Sequence, residues 1–160
     1  PRQRGNIPMH SPRLRFETVA PRLIAGITRE HSSNASMPQQ WAEFSHWLGR
    51  VRGQIGPDAY GGLNARADGG VQYTTGVEVT SLDDLPTELD QVVIAPGRYA
   101  VFDCPHAISD IGSAWQTIWS TGLPDAQLTP RAAPSFERYT SRFNAATGLG
   151  GFEIWIPLEA

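Results

Sequence analysis

The order of apolar runs, amphipathic segments and turn residues in residues 13–85 recurs in residues 86–160. A chain built twice on one pattern is confined to folds with an internal twofold. Each half reads as strand, helix, strand, strand. The first half offers the apolar run 22–27, a helix around 41–51, and strands over 60–65 and Val71–Val79. The second offers a strand over 92–102, a helix around 108–119, and strands over 136–140 and Phe152–Pro157. Identity between the halves is weak, so the repeat rests on element order. The expected fold class is α+β: a duplicated β-α-β-β module with pseudo-twofold symmetry, a curved antiparallel sheet, two helices, and a ligand groove where the halves meet.

Local signals support these elements. Ser36-Met37-Pro38-Gln39 has the form of a capping box with an early proline. Trp41, Phe44, Leu48, Val51 and Ile55 then follow steps of three, four or seven residues, and Gly56-Pro57 supplies a helix stop. Asp68-Gly69-Gly70 suits a hairpin turn. In the strand after it, Tyr73, Thr75, Val77 and Val79 alternate against Thr74, Gly76 and Glu78. The acidic stretch 81–90 reads as the connection between halves, and Pro96-Gly97 as an interruption of the next strand. Ser109 or Asp110 is placed to cap the second helix. Ile111, Trp115, Ile118 and Trp119 give that helix an apolar stripe, and Gly122 with Pro124 a stop. The opening Pro1-Arg2-Gln3-Arg4-Gly5-Asn6-Ile7-Pro8 crowds cations with proline, so residues 1–12 read as a linker or a disordered start and 13–160 as one domain.

Composition removes several function classes. A net charge of -3 and a pI near 5.8 argue against a nucleic-acid-binding surface, which needs a clustered cationic face. No apolar run approaches the ~18 residues of a membrane span. No signal-peptide core is visible. The single cysteine, Cys104, excludes an internal disulfide, and a reducing, cytoplasmic setting is the simplest reading. His10, His31, His46 and His106 lack metal-ligand spacing, and Cys104 and His106 have no second pair, so no metal or other cofactor is expected. There is no Gly-x-Ser-x-Gly elbow, and Gly148-Leu149-Gly150-Gly151 reads as a turn rather than a phosphate loop.

Six short motifs stand in a characteristic order. They are Leu23-Ile24-Ala25-Gly26, Tyr60-Gly61, Tyr73-Thr74-Thr75-Gly76-Val77-Glu78-Val79, Pro96-Gly97-Arg98-Tyr99-Ala100-Val101-Phe102, Phe136-Glu137-Arg138-Tyr139 and Ile154-Trp155-Ile156-Pro157. In that order, across residues 13–158, the chain resembles the GyrI-like superfamily. That group includes the effector-binding domains of AraC-type regulators and the drug-binding domains of multidrug-sensing MerR-type activators. Tyr60-Gly61-Gly62-Leu63-Asn64 is similar to Rob-type AraC regulators, with one extra glycine. The resemblance implies a sensor for hydrophobic or cationic aromatic ligands, in which Glu137 stands where the family motif places a buried, aromatic-ringed glutamate. It implies contact with DNA only through a separate domain joined at the basic, proline-bearing start. An oligomer is compatible with it.

Alternation along the strand puts Glu137 on one face with Ser135 and Tyr139, opposite Phe136 and Arg138. A carboxylate on an inner face is costly unless paired or hydrogen-bonded, and a cationic ligand could supply the missing charge. The plainer alternative is a surface glutamate paired with an arginine. Five tryptophans and four tyrosines exceed the needs of a small core. Trp155, Tyr139, Tyr73, Tyr99, Phe102 and Trp119 are candidates for lining the groove, each against the alternative of core packing, whereas Trp41 and Trp115 read as core. Glu78 is a second candidate carboxylate, with pairing to an arginine as its alternative. Two other functions compete with the sensor. One is a small hydrolase opening cyclopropane rings of DNA-alkylating compounds, with Glu137 and Tyr139 guiding water. The other is a protein-binding module of the gyrase-modulating kind.

Overall fold

The computed structural model describes residues 12–65 and 71–159. Among these, eight strands form one antiparallel sheet with two helices: β1 (Arg13–Val19), β2 (Arg22–His31), α1 (Met37–Phe44), β3 (Gln54–Ala65), β4 (Val71–Val79), β5 (Asp90–Ile94), β6 (Gly97–Cys104), α2 (Ile111–Thr117), β7 (Ser135–Tyr139) and β8 (Phe152–Pro157). The strand order is β1-β6-β8-β7-β3-β4-β2-β5. Exchanging each first-half strand for its second-half counterpart reverses this order onto itself, so the duplication is present in the pairing. The repeating unit, however, is β-β-α-β-β. Its first strand is traded between halves: β1 pairs with β6, and β5 with β2.

Several expected boundaries are corrected. The strand expected over 92–102 is two strands in opposite halves of the sheet, β5 at one edge and β6 next to the other. Pro96 offers no N–H to a ladder, and Gly97 takes φ 127°, so the chain turns there and leaves. β1 has no counterpart in the sequence reading; its Leu14 and Phe16 alternate against charges, as an exposed edge strand should. The first helix ends at Phe44 rather than near Val51. A 3-10 turn (Ser45–Trp47) follows, then Gly49 and Gly53 at φ 77° and 78°. Gly56-Pro57 lies inside β3, not at a helix end. Leu48 and Ile55 are exposed, so their helical spacing was accidental.

The second helix does not stop at Gly122. It widens into a π turn (Ile118–Gly122), and Pro124 enters the next helical turn at a first-turn position, where no N–H is required. Neither helix makes its expected side-chain cap. The Ser36 hydroxyl instead meets His31 Nδ1 at 2.6 Å. The Asp68-Gly69-Gly70 turn and residues 1–11 lie outside the described residues.

Both helices cover one face of the sheet. Phe44 of α1 packs with Ala25, Ile27, Val77 and Val79 of the sheet; Ala114 of α2 and Ile118 of the turn that follows pack with Phe102, Phe152, Ile154 and Ile156. Each of the larger aliphatic or aromatic side chains contributes roughly 1.5–3 kcal/mol when fully buried. Strand alternation sends Ile24, Tyr60, Tyr99, Val101, Phe136 and Trp155 to the opposite face, where they form a separate cluster.

Candidate functional site

The pairing registers join into one row of residues across the sheet: Ile27, Thr75, Gly61, Glu137, Ile154, Phe102. The first three belong to the first half and the last three to the second, in mirrored order. The pseudo-twofold therefore passes between Gly61 and Glu137, which are paired across β3 and β7 and are each other's equivalents. The same correspondence makes Tyr73 the twin of Phe152. Trp41 and Trp115 match as well. Each is the fifth residue of its helix, each follows a buried residue (Gln40, Ala114), and each is half-buried.

Glu137 is 4% exposed on the helix-covered face. The Tyr73 and Tyr139 hydroxyls both donate to its Oε1 at 2.7 Å, and the Trp115 indole N–H donates to Oε2 at 3.0 Å. The Trp41 indole in turn donates to the Tyr73 hydroxyl at 3.1 Å, and its ring stands edge-on to Tyr139 at 5.2 Å. The chain of donors runs from indole to phenol to carboxylate, the direction that suits an ionised acceptor. Burial pushes the Glu137 carboxyl above its usual range, opposed by Tyr139, Tyr73 and Trp115; no charged group among the described residues acts on it. Burial, and then the Glu137 charge, hold both tyrosines well above the ordinary phenol range, so they remain donors.

Space for this cluster comes from Gly61. A methyl group there would overlap the Tyr73 hydroxyl and stand 2.9 Å from Glu137 Oε1. Support comes from Gln40 on α1, whose amide donates to the carbonyls of Ile27 (3.0 Å) and Tyr73 (2.9 Å) and whose Oε1 meets His31 Nε2 at 2.6 Å. A buried polar residue thus fixes the first helix, and with it Trp41, on the strands that carry Tyr73.

The structure brings together Glu137, Tyr139 and Tyr73 from the residues singled out in the sequence. It does not place the others with them. Trp155 pairs with Phe136, not with Glu137, so it faces away. There it is 1% exposed, stacked on Phe136 at 5.3 Å, with its indole donating to Glu153 at 2.9 Å. Tyr99 is buried on that same face and donates to the Ala95 carbonyl at 2.7 Å. Glu78 is also there, 3.5 Å from the Tyr60 hydroxyl. Phe102 shares the helix-covered face but packs beneath the π turn. Trp119 is 47% exposed on the π turn that follows α2, which corrects its place in the apolar stripe. Sequence reasoning missed Trp41, Trp115 and Gly61. Their shared signal was equivalence within the repeat: the tryptophans show it when the two helices are aligned at their fifth residues, and Gly61 when β3 is aligned with β7. Among the described residues, no three His, Cys, Asp or Glu side chains are grouped to hold a metal ion, and no helix is long and apolar enough to cross a membrane.

Comparison with known proteins places this geometry in context. A family model described as a GyrI-like small molecule binding domain matches residues 13–159. The transcriptional regulator BrlR of Pseudomonas aeruginosa is 28% identical over 122 residues, covering 75% of this chain but 45% of that protein, so the chain spans less than half the length of this relative. The structure of SAV2435 bound to tetraphenylphosphonium is similar with a TM-score of 0.69 at 19% identity, covering 92% of this chain and 94% of that one. A hydrolase from Listeria innocua is similar with a TM-score of 0.56 at 10% identity, covering 97% and 95%.

Proposed function

Because the chain belongs to the GyrI-like small molecule binding domain family, we propose that it is the ligand-sensing part of a bacterial transcriptional regulator and binds hydrophobic cations at Glu137. The observation that carries the ligand class is a carboxylate 4% exposed, held by three uncharged donors, with no cation acting on it among the described residues. Such a group is left short of one positive charge. A planar or aryl-rich cation brings that charge and stacks against the indoles of Trp41 and Trp115, each cation–ring contact being worth ~0.5–2 kcal/mol depending on desolvation. Those two half-buried indoles reach Glu137 directly and through Tyr73, and a ligand meeting a carboxylate only 4% exposed requires side chains around it to move.

The regulatory role is supported by the relationship to BrlR. DNA would be contacted by a further domain, expected from the sequence to be of the AraC type and to work in the cytoplasm. Ligand would act by favouring one of two states of the sensor. Calorimetric titration with tetraphenylphosphonium and with neutral triphenylphosphine oxide tests the ligand class. The cation is expected to bind at least tenfold more tightly, and equal affinities would overturn the charge reading. A hydrolytic role is the second reading, favoured by the 2.7 Å contact between Glu137 and the Tyr139 hydroxyl. Multiple turnovers of a strained cyclopropane substrate, lost in Glu137→Gln, would support it over sensing.

A further inference from the structure

Resting on the cation reading above, we infer that Glu137 selects protonated amines, which carry an N–H on the charged centre, over quaternary cations of the same size and charge. The argument is one of acceptor capacity. An ionised carboxylate offers about four acceptor positions, two on each oxygen. Oε1 already takes two hydroxyl donors, from Tyr73 at 1% exposure and Tyr139 at 8%, both too buried to be exchanged for solvent. Among the described residues, Oε2 takes the Trp115 indole N–H alone. Among these residues, one acceptor position of Oε2 therefore has no donor, beside the half-buried Trp115 that fills the other.

No neighbour among those bonded to the site can fill this position. The Trp41 N–H is committed to the Tyr73 hydroxyl, and the Gln40 amide to the carbonyls of Ile27 and Tyr73. A buried acceptor without a donor is costly, and more so when the acceptor is charged. A protonated tertiary amine completes the set with its single N–H and keeps the charge-assisted contact short. A quaternary ammonium or phosphonium supplies charge but no donor, and its alkyl or aryl shell holds the charge farther from Oε2.

Three anthracene probes that differ only in the group on one methylene test this near neutral pH: dimethylammonium, trimethylammonium and methoxy. With the full chain, the dimethylammonium probe is expected to bind roughly ten- to a hundredfold more tightly than the trimethylammonium probe, with the methoxy ether weakest. Two cations of equal affinity, both above the ether, would overturn the selection while leaving the cation reading intact. Equal affinity for all three, or binding of none, would overturn both. In Glu137→Gln the difference between the two cations should close, and a difference that persists would place the selection elsewhere. In Trp115→Phe, where Oε2 loses the indole donor, the advantage of the dimethylammonium probe should be kept or widened. Its loss would assign the selection to the indole and overturn the inference.

Discussion

Replacing Glu137 by glutamine is the sharpest probe of the site, because it removes a charge and almost nothing else. Gln keeps the length of the side chain, and its amide oxygen can still accept from the hydroxyls of Tyr73 and Tyr139, which now meet Oε1 at 2.7 Å. Its NH2 then faces the Trp115 N–H, one donor against another, at a half-buried position; that conflict costs about 1 kcal/mol. Against it stands relief from burying an ionised group whose carboxyl burial already pushes up. The two nearly cancel, so stability in urea should change by no more than about 1 kcal/mol. Ligand binding should behave differently. The aryl shell of tetraphenylphosphonium keeps its charge roughly 6 Å from the carboxylate, where an effective dielectric near 20 gives about 3 kcal/mol. Discounting up to half for solvent admitted as the site opens leaves about 1.5–3 kcal/mol, a loss of roughly 10- to 150-fold in affinity for tetraphenylphosphonium. Triphenylphosphine oxide, which has no charge to lose, should change less than about threefold. Calorimetric titrations of both ligands against both proteins decide the matter. Equal losses for cation and neutral ligand, or a cation loss below threefold, would refute the reasoning.

Other consequences are as concrete. The Glu137 carboxyl is raised in the folded state, so between its unfolded and folded values the folded protein holds more protons than the unfolded chain, and stability falls as pH rises through that window. Thermal melts across that range should show this slope in the native protein and not in Glu137→Gln, while cation affinity should rise with pH and level off once Glu137 is ionised; an affinity that falls with pH would contradict the assignment. At Glu153 burial pushes the carboxyl up, but the Trp155 indole, Arg15 and Arg138 more than offset it, so its contribution to stability is present above the unfolded value and lost as pH falls through the lower folded one. Glu153→Gln should therefore flatten the acid limb of the same melts. Gly61→Ala should cost about 1–3 kcal/mol in urea unfolding and abolish cation binding, because the methyl group overlaps the Tyr73 hydroxyl at a position without positive φ; unchanged stability would mean that the cluster gives way. The Cys104 thiol, pushed up to about 12 by burial and the neighbouring Asp103 charge, should react with a thiol reagent only as fast as the protein unfolds.

The sequence made some of this arrangement readable and concealed the rest for identifiable reasons. Period-two alternation is a property of one strand, so it correctly put Glu137 with Tyr139 and opposed both to Arg138. It says nothing about how the faces of different strands align. That is set by register, and the pairing of Trp155 with Phe136 sends Trp155 to the far face although its alternation against Ile154 was read correctly. The four-element repeat was similarly one strand short. Val92 and Tyr99 look like parts of a single apolar run, yet Pro96-Gly97 lets the chain cross from one edge of the sheet to the other half. Apolar spacing misled at α1 for a third reason. Val51 is buried from a loop and Ile55 is exposed on a strand, so residues four apart need not share a helix.

The twofold at Gly61 and Glu137 explains why the site is charged on one side only. A duplicated sheet starts with identical residues around its axis, and two carboxylates paired there would face each other without a cation, which disfavours ionising both. The halves differ at each pair that would decide this. Gly61 stands against Glu137, giving one charge and the room it needs. Tyr73 stands against Phe152, and Leu63 in the first half against Tyr139 in the second, so the two hydroxyls come one from each half and converge on the same oxygen. Of the residues hydrogen-bonded around Glu137, the tryptophans are kept in both copies, and even they have separate tasks: Trp115 reaches the carboxylate directly, while Trp41 reaches it through Tyr73. The duplication thus supplies a matched pair of indoles bonded into the cluster, and a few unmatched residues supply one charge. On the cation reading proposed above, a ligand suited to this site would have a broad apolar body for the symmetric part and a single positive centre, set off its middle, for the part that is not symmetric.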